Sequence, residues 1–559
     1  MRKLIHSLSL LLLAGLNAQQ HTSPLYLNEA QMQWADSLCN HMTLDEKVGQ
    51  LFMVAAYTNK DLAHEKEIED LISKEKIGGL IFMQDNAQKQ INLVNRYQNL
   101  SKYPLLIGMD AEWGLAMRLQ NTHKFPWAMT LGAVQNNDLI YQMGQKIAEH
   151  LALVGAHFNF APDIDVNVNP NNPIIGNRSF GSTPKNVAEK GFYYMKGMQD
   201  KRILASAKHF PGHGDTDQDS HHTLPSIAHS KARLQAVELA PFKDLIQKGV
   251  TAIMVAHLNV PAFEKDPKKP ASLSKNIITH LLKEQMGFKG IIITDALNMS
   301  GVTKNYPDGE SDFIAFEAGN DILLFSQAVA KGKQKIIRAI ETGKISEKRL
   351  DESVRKILMA KYYAQLQRKQ ILSGENLIQK LNDNESKILN YQIFENAMTL
   401  LKNDKAQLPF SANEKIAWLP LGEENYETLA QNLAQLNIKQ IGRNEKDLKK
   451  FDKIFISFHV SNASAYASYK ISDADRNLIE DLSQKNKVSL AIFGSPYALK
   501  NLETQNIKSI LVAYQNHPDC QEIVPEILFG KKNTLGKLPV DVKDFPMGAG
   551  LNLLGINIE

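Results

Sequence analysis

Residues 208–222 read Lys-His-Phe-Pro-Gly-His-Gly-Asp-Thr-Asp-Gln-Asp-Ser-His-His, four histidines, three aspartates and a lysine in fifteen positions. Groups that titrate or donate hydrogen bonds at this density point to proton transfer or ion binding. The apolar run 203–207 directly before them reads as a buried strand, and polar loops leaving such strands are where parallel α/β folds keep their chemistry. Asp219 and His221 stand two residues apart. The carboxylate can accept a bond from one ring nitrogen, set the tautomer and leave the other nitrogen to shuttle a proton. Lys208 and His209 leave the strand together as donors for ligand hydroxyls. Arg118 and Arg178 offer planar donors as well, although each, taken singly, reads more readily as half of a surface ion pair. Asp295 closes the apolar run 291–294. A carboxylate held there suits a nucleophile or an electrostatic stabiliser, and equally an N-cap for the following helix.

The histidine density also raises a metal site. His209 and His213 lie four apart, but Pro211 and Gly212 between them forbid the continuous helix that would align both rings. Asp215 and Asp217 are near enough to join such a site, or the loop base is held by hydrogen bonds alone. Cys39 and Cys520 are the only cysteines, which excludes a cysteine-based zinc site; two unpaired or buried thiols are expected. The expected answer is no metal and no cofactor.

The elements that must position these groups alternate along the chain. Apolar runs at 50–54, 79–83, 105–109, 157–160, 203–207, 252–256, 290–294 and 321–325 read as strands, with amphipathic stretches such as 232–248 and 273–286 between them. Eight regularly spaced units predict a (β/α)8 TIM-like barrel, with a doubly wound sheet as the alternative. Polar residues recur where the runs end: Asp110 and Glu112, Asp163, Lys208 and His209, His257, Asp295. In a barrel all of these converge on one face. Helical sequence over 346–367 leads to a polar linker at 368–380. Runs at 416–420, 453–458, 488–493 and 510–514 then predict a smaller, parallel-sheet α/β layered domain over 381–559. The segment 530–538 resembles a phosphate loop, but it has five residues between its glycines where four are needed, and Leu538 replaces the hydroxyl residue.

The ends and the composition narrow the function. Arg2 and Lys3 precede an apolar stretch at 8–16, with Ala18 as a small residue at a cleavage point, the layout of a signal peptide over 1–18. An exported, periplasmic or extracellular protein with no membrane span is expected, the catalytic domain occupying 19–367. A net charge of +4 over 559 residues makes no electrostatic case for nucleic acid. A monomer is expected.

Lys208-His209-Phe210-Pro211-Gly212-His213-Gly214 together with Asp219-Ser220-His221 resembles the signature of glycoside hydrolase family 3, in its bacterial β-N-acetylglucosaminidase branch. The resemblance runs from Asp110 through Arg178-Ser179-Phe180-Gly181 and Leu273-Ser274 to Gly290-Ile291-Ile292-Ile293-Thr294-Asp295. It covers the first 330 residues or so, and the second domain resembles that of two-domain members. It implies Asp295 as a nucleophile forming a glycosyl ester, His221 as acid/base oriented by Asp219, and Asp110, Arg118, Arg178, Lys208 and His209 as grips on the terminal sugar. The implied reaction is retaining, metal-free exo-hydrolysis of terminal β-linked N-acetylglucosamine, from peptidoglycan fragments or chitin-type oligosaccharides. A β-glucosidase of the same family, a metal-dependent hydrolase and a catalytically dead carbohydrate-binding protein are the alternatives, and water or phosphate as acceptor stays open. Two positions depart from the branch. Trp113 stands in place of a glycine after Glu112 and either stacks on substrate or packs in the core, and Ala296 follows the nucleophile where many members have a second acid.

Overall fold

The computed structural model describes residues 28–217, 223–423, 425–466 and 468–553; the proposed signal peptide, Asp219 and His221 lie outside them. Strands β1 (Phe52–Tyr57), β2 (Gly79–Met83), β3 (Leu106–Met109), β4 (Phe158–Asn159), β5 (Leu204–Phe210), β6 (Ala252–Val255), β7 (Ile291–Thr294) and β8 (Leu323–Leu324) pair in chain order, all parallel. β8 returns to β1 through Phe52↔Leu323 and Met53↔Leu324, and Ile293↔Ile322 bridges β7 to the β8 segment. The eight strands thus form a nearly closed barrel. The strands are almost wholly buried, because helices cover the outside of a parallel barrel and side chains fill the inside. That double burial is why each strand shows in the sequence as an unbroken apolar run.

The helices follow ordinary start signals. Thr43 and Glu46 form a reciprocal capping box at the start of Leu44–Gly49, the pattern that satisfies two free backbone donors at once. The amphipathic stretch 232–248 is not one helix but two, Lys231–Ala236 and Leu239–Gln247. Pro241 accounts for the break: proline is best tolerated in a helix's first turn, and the new helix begins just before it. Residues 273–286 likewise depart from a plain α-helix, with a 3-10 turn at Ala271–Leu273 and a π-helix over Asn276–Gln285.

The second sheet orders its strands β11-β10-β12-β13-β14-β9, where β9 is Thr399–Asn403, β10 Ile416–Gly422, β11 Lys439–Gln440, β12 Lys453–His459, β13 Val488–Phe493 and β14 Ser509–Val512. It is mixed, not all parallel: β9 runs antiparallel along β14, with a register shift between Ile510 and Leu511. β9 escapes the sequence reading because its short apolar run directly follows the helix Asn384–Ala397, and periodicity cannot separate a five-residue strand from a helix tail. β11 is two exposed residues with no apolar signal.

The second domain rests on loops that follow β3 and β4. The Gln515 side-chain oxygen accepts from the Trp127 backbone N–H at 2.7 Å and from Thr130 Oγ1 at 2.9 Å, and the Ser182 N–H donates to the Pro539 carbonyl at 3.0 Å. Trp113, Trp127 and Ala465 form a small buried cluster across the junction. Trp113 is therefore a packing residue, which settles the choice left open above. No helix among the described residues is long and apolar enough to cross a membrane. Cys39 and Cys520 are both free and buried.

Candidate active site

The carboxyl ends of the barrel strands open into a cavity of about 390 Å³ lined by Asp110, Arg118, Arg178, Lys208, His209 and Asp295, among others. Six of the eight residues expected from the sequence are thus brought together from four different strand ends; Asp219 and His221 fall outside the described residues. A larger groove in the second domain, near Phe410 and Lys450, holds none of them.

One wall is a buried charge network. Just past β3, Asp110 accepts from Arg118 Nη2 at 2.6 Å and from Lys208 Nζ at 3.1 Å. Lys208 also reaches Glu112 at 2.7 Å, and Glu112 holds Arg178 through two parallel bonds of 2.9 and 2.6 Å. Planar guanidinium and carboxylate match in that geometry, which fixes Arg178 in position as well as charge. Burial alone would raise the carboxyls of Asp110 and Glu112. The cations beside them outweigh it: Lys208 and Arg118 hold Asp110 well below the usual carboxylate range, and Arg178 and Lys208 bring Glu112 to about 2. Burial would lower Lys208, and Glu112 and Asp110 instead raise it. All these groups are charged at neutral pH, a fixed array of donors and acceptors for a polyhydroxylated ligand.

Behind the wall lies a second set that the sequence reading only half anticipated. Asp165 is fully buried and accepts from the His209 ring Nδ1 at 2.7 Å, from the His209 N–H at 3.3 Å and from the His213 N–H at 2.6 Å. It thereby fixes the His209 ring, whose Nε2 lies 3.5 Å from Arg178 Nη2. Burial raises the Asp165 carboxyl to about 6, the His213 and His209 N–H groups restraining the rise. Its neighbour Asp163 is pushed well above the carboxylate range by burial and by the charge of Asp165. Desolvation lowers His209 to about 4 and His213 to about 3, so both rings are neutral at physiological pH. The signal for Asp165 was present in the alternation Asp163-Ile164-Asp165: two acids on one face of an extended segment at a strand end.

The loop after β5 is held as tightly at its base. Gly214 packs so closely that a Cβ would lie 1.9 Å from the Val166 carbonyl oxygen, and Gly212 has φ +127 with a Cβ position 2.7 Å from Glu238. No side chain fits at either place. His213 Nδ1 bonds Thr216 Oγ1 at 2.8 Å, and Asn172 donates to the His213 carbonyl at 2.9 Å. Farther out, His229 Nε2 meets Asp215 at 2.6 Å, tying together the two ends of the segment that carries Asp219 and His221.

Among the described residues, two groups come close enough to hold a cation, Asp163–Asp165–His209 and Asp215–His229–Glu238. In the first, Asp165 already accepts a ring nitrogen and two backbone N–H groups, and Arg178 supplies the positive charge 3.5 Å from Asp163. In the second, Arg233 takes both oxygens of Glu238 at 2.6 and 2.7 Å. Neither has the free, like-charged oxygen set that a hard cation selects.

Asp295 follows β7. Its N–H donates to the Val255 carbonyl at 2.9 Å and its Oδ1 accepts from the Ala296 N–H at 2.8 Å. His257, the polar residue after β6, supports this turn by bonding Ser272 Oγ at 2.6 Å and the Ala296 carbonyl at 2.9 Å. It is a buttress behind the pocket. One lining residue was invisible to any reading of the barrel alone: Tyr466 arrives from the second domain.

A sequence model of the glycosyl hydrolase family 3 N terminal domain matches residues 43–360. A Beta-hexosaminidase A of Pseudoalteromonas piscicida is 29% identical over 484 residues, covering 78% of this chain and 78% of that protein. A Cellulomonas fimi protein named Beta-N-acetylglucosaminidase/beta-glucosidase is 26% identical over 397 residues, 70% of each chain. Among solved structures, a glycoside hydrolase family 3 beta-N-acetylglucosaminidase from Paenibacillus sp. str. FPU-7 aligns with a TM-score of 0.74 at 30% identity, covering 89% of this chain and 99% of that one.

Proposed function

The chain belongs to glycosyl hydrolase family 3 and is a glycoside hydrolase, and from that premise we propose that it is a retaining exo-β-N-acetylglucosaminidase. One observation carries the reading: Asp295, fixed at the end of β7, lines the same cavity as the Asp110–Arg118–Lys208–Glu112–Arg178 network. That juxtaposes a carboxylate with a set of charged donors and acceptors suited to sugar hydroxyls. The names of the Pseudoalteromonas and Paenibacillus relatives support the amino sugar.

In the proposed reaction the Asp295 carboxylate attacks the anomeric carbon as the glycosidic bond breaks, and the departing oxygen takes a proton from the His221 imidazolium. Asp219 orients that ring. The resulting glycosyl ester is then cleaved by water, whose proton returns to His221, so the anomeric configuration is retained. Most retaining glycosidases use two carboxylates for this work; here a histidine on a loop would replace the second. Peptidoglycan fragments met after export are the proposed natural substrates, hydrolysed without a metal.

Turnover of 4-nitrophenyl β-N-acetylglucosaminide, with retention followed by NMR, tests the activity; inversion ends the reading. β-Glucosidase action is the second reading, favoured by the double name of the Cellulomonas fimi relative. A higher kcat/KM on 4-nitrophenyl β-glucoside would establish it instead.

A further inference from the structure

The second domain places one large aromatic side chain in the barrel's pocket. Tyr466 lines the cavity that Asp295, Arg178 and Lys208 also line, and its ring lies 5.8 Å from the Arg178 guanidinium. The residue is 48% exposed, so core packing does not account for it. Among the described residues, two other Tyr or Phe rings line the same cavity, beside the His209 and His213 imidazoles. Tyr57 already has Lys60 over its ring at 4.0 Å and His64 against its edge, and Phe325 is only partly exposed.

The backbone that carries Tyr466 is fixed to the barrel. The Ala465 carbonyl accepts from Asn177 Nδ2 at 3.2 Å, next to Arg178, and the Ala465 side chain is buried between Trp113 and Trp127. Lys124 donates to the Asn462 carbonyl, and the Tyr469 hydroxyl donates to the Pro170 carbonyl. An exposed ring on an anchored backbone is preorganised: little conformational freedom remains to be lost when a ligand arrives. The charged network answers a sugar's hydroxyls. A pyranose also has a face of C–H groups, which wants an aromatic partner.

We infer that Tyr466 binds the terminal sugar, stacking on its apolar face and making the second domain part of the substrate site. The inference rests on the glycosidase reading above and adds a residue from outside the matched catalytic region. The test compares Tyr466→Ala and Tyr466→Phe with the unaltered protein, using 4-nitrophenyl β-N-acetylglucosaminide as substrate and free N-acetylglucosamine as competitive inhibitor. Tyr466→Ala raises KM and the inhibition constant by about ten-fold, while kcat moves by less than about two-fold. Tyr466→Phe keeps the ring and stays near the unaltered values. Unchanged KM and inhibition constant in Tyr466→Ala overturn the inference, as does a loss confined to kcat. A loss seen only with chitooligosaccharides overturns it too, since it would assign the ring to the leaving group. If the unaltered protein prefers the glucoside, the amino-sugar reading fails, and the same comparison with glucose as inhibitor still decides the role of Tyr466.

Discussion

At the scale of single residues, the pocket separates groups that react from groups that hold. Asp295 is proposed to react, so Asp295→Ala lowers kcat by about four orders of magnitude while circular dichroism and melting temperature stay close to those of the unaltered protein. A full fold with undiminished turnover would remove the nucleophile from Asp295. Glu112 is a holding group. It is the shared partner of Lys208 and Arg178, and deleting it leaves two buried cations short of a counter-charge. Removing one partner of a buried ionic pair costs about 3 kcal/mol or more, so Glu112→Ala shows a loss of that size in urea denaturation as well as a raised KM. A variant as stable as the parent would mean that water enters to screen the two cations.

At the scale of elements, the loop after β5 combines a rigid base with the proposed acid/base segment. Asp165 anchors that base by accepting from His209 and His213. Asp165→Asn leaves one acceptor oxygen for three donors, and an unsatisfied buried donor costs about 1–3 kcal/mol. Its signature is kinetic too: His209 loses the bond that fixes its ring, so KM rises and the pH profile of kcat/KM shifts. If the variant loses stability while KM and pH profile stay as they were, Asp165 is purely structural. Gly214→Ala tests the same base through space alone, since a methyl there must displace the backbone of Val166 or of the loop. Activity falls more steeply than melting temperature if that loop carries the acid/base, and the two fall together if it does not.

At the scale of the whole molecule, buried histidines set the response to acid. His123, His157, His209, His459 and His517 are lowered by burial to about 4, and His213 to about 3. Each folded value lies below the ordinary 6.5, so the unfolded chain binds more protons in between. Their contribution to stability is complete above pH 6.5 and is lost as pH falls toward 4. His64 and His150 are lowered by burial too. Asp163, Asp165, Asp312, Asp519, Glu238 and Glu522 are raised by burial and act in the opposite sense, gaining relative stability as pH falls toward the ordinary carboxylate range, Asp165 and Asp312 from about 6. Among the described residues eight lowered histidines stand against six raised carboxyls, which leaves a net loss. Each net proton steepens the fall by about 1.4 kcal/mol per pH unit. Calorimetry at a series of pH values therefore shows the melting temperature dropping between pH 6.5 and 4; a flat profile over that range would contradict the neutral histidines. The domain junction belongs to this scale as well, since Gln515 serves two barrel donors from the loop after β14.

What could be read along the chain was whatever depends on near neighbours. Eight doubly buried strands leave eight apolar runs, and a helical barrel has little choice but to gather the polar residues that end them. Asp110, Lys208, His209 and Asp295 were legible for that reason, and the loop motif carried the family. Orientation and partnership across the fold were not legible. Arg178 looked like a surface cation until Glu112, sixty-six positions away, was seen to clamp it inside the cavity. Trp113 took its core role only when Trp127 and Ala465 closed around it. The antiparallel β9 and the entry of Tyr466 depend on which segments meet in space. Contacts between distant segments leave no periodic trace in either segment, so packing alone sets them.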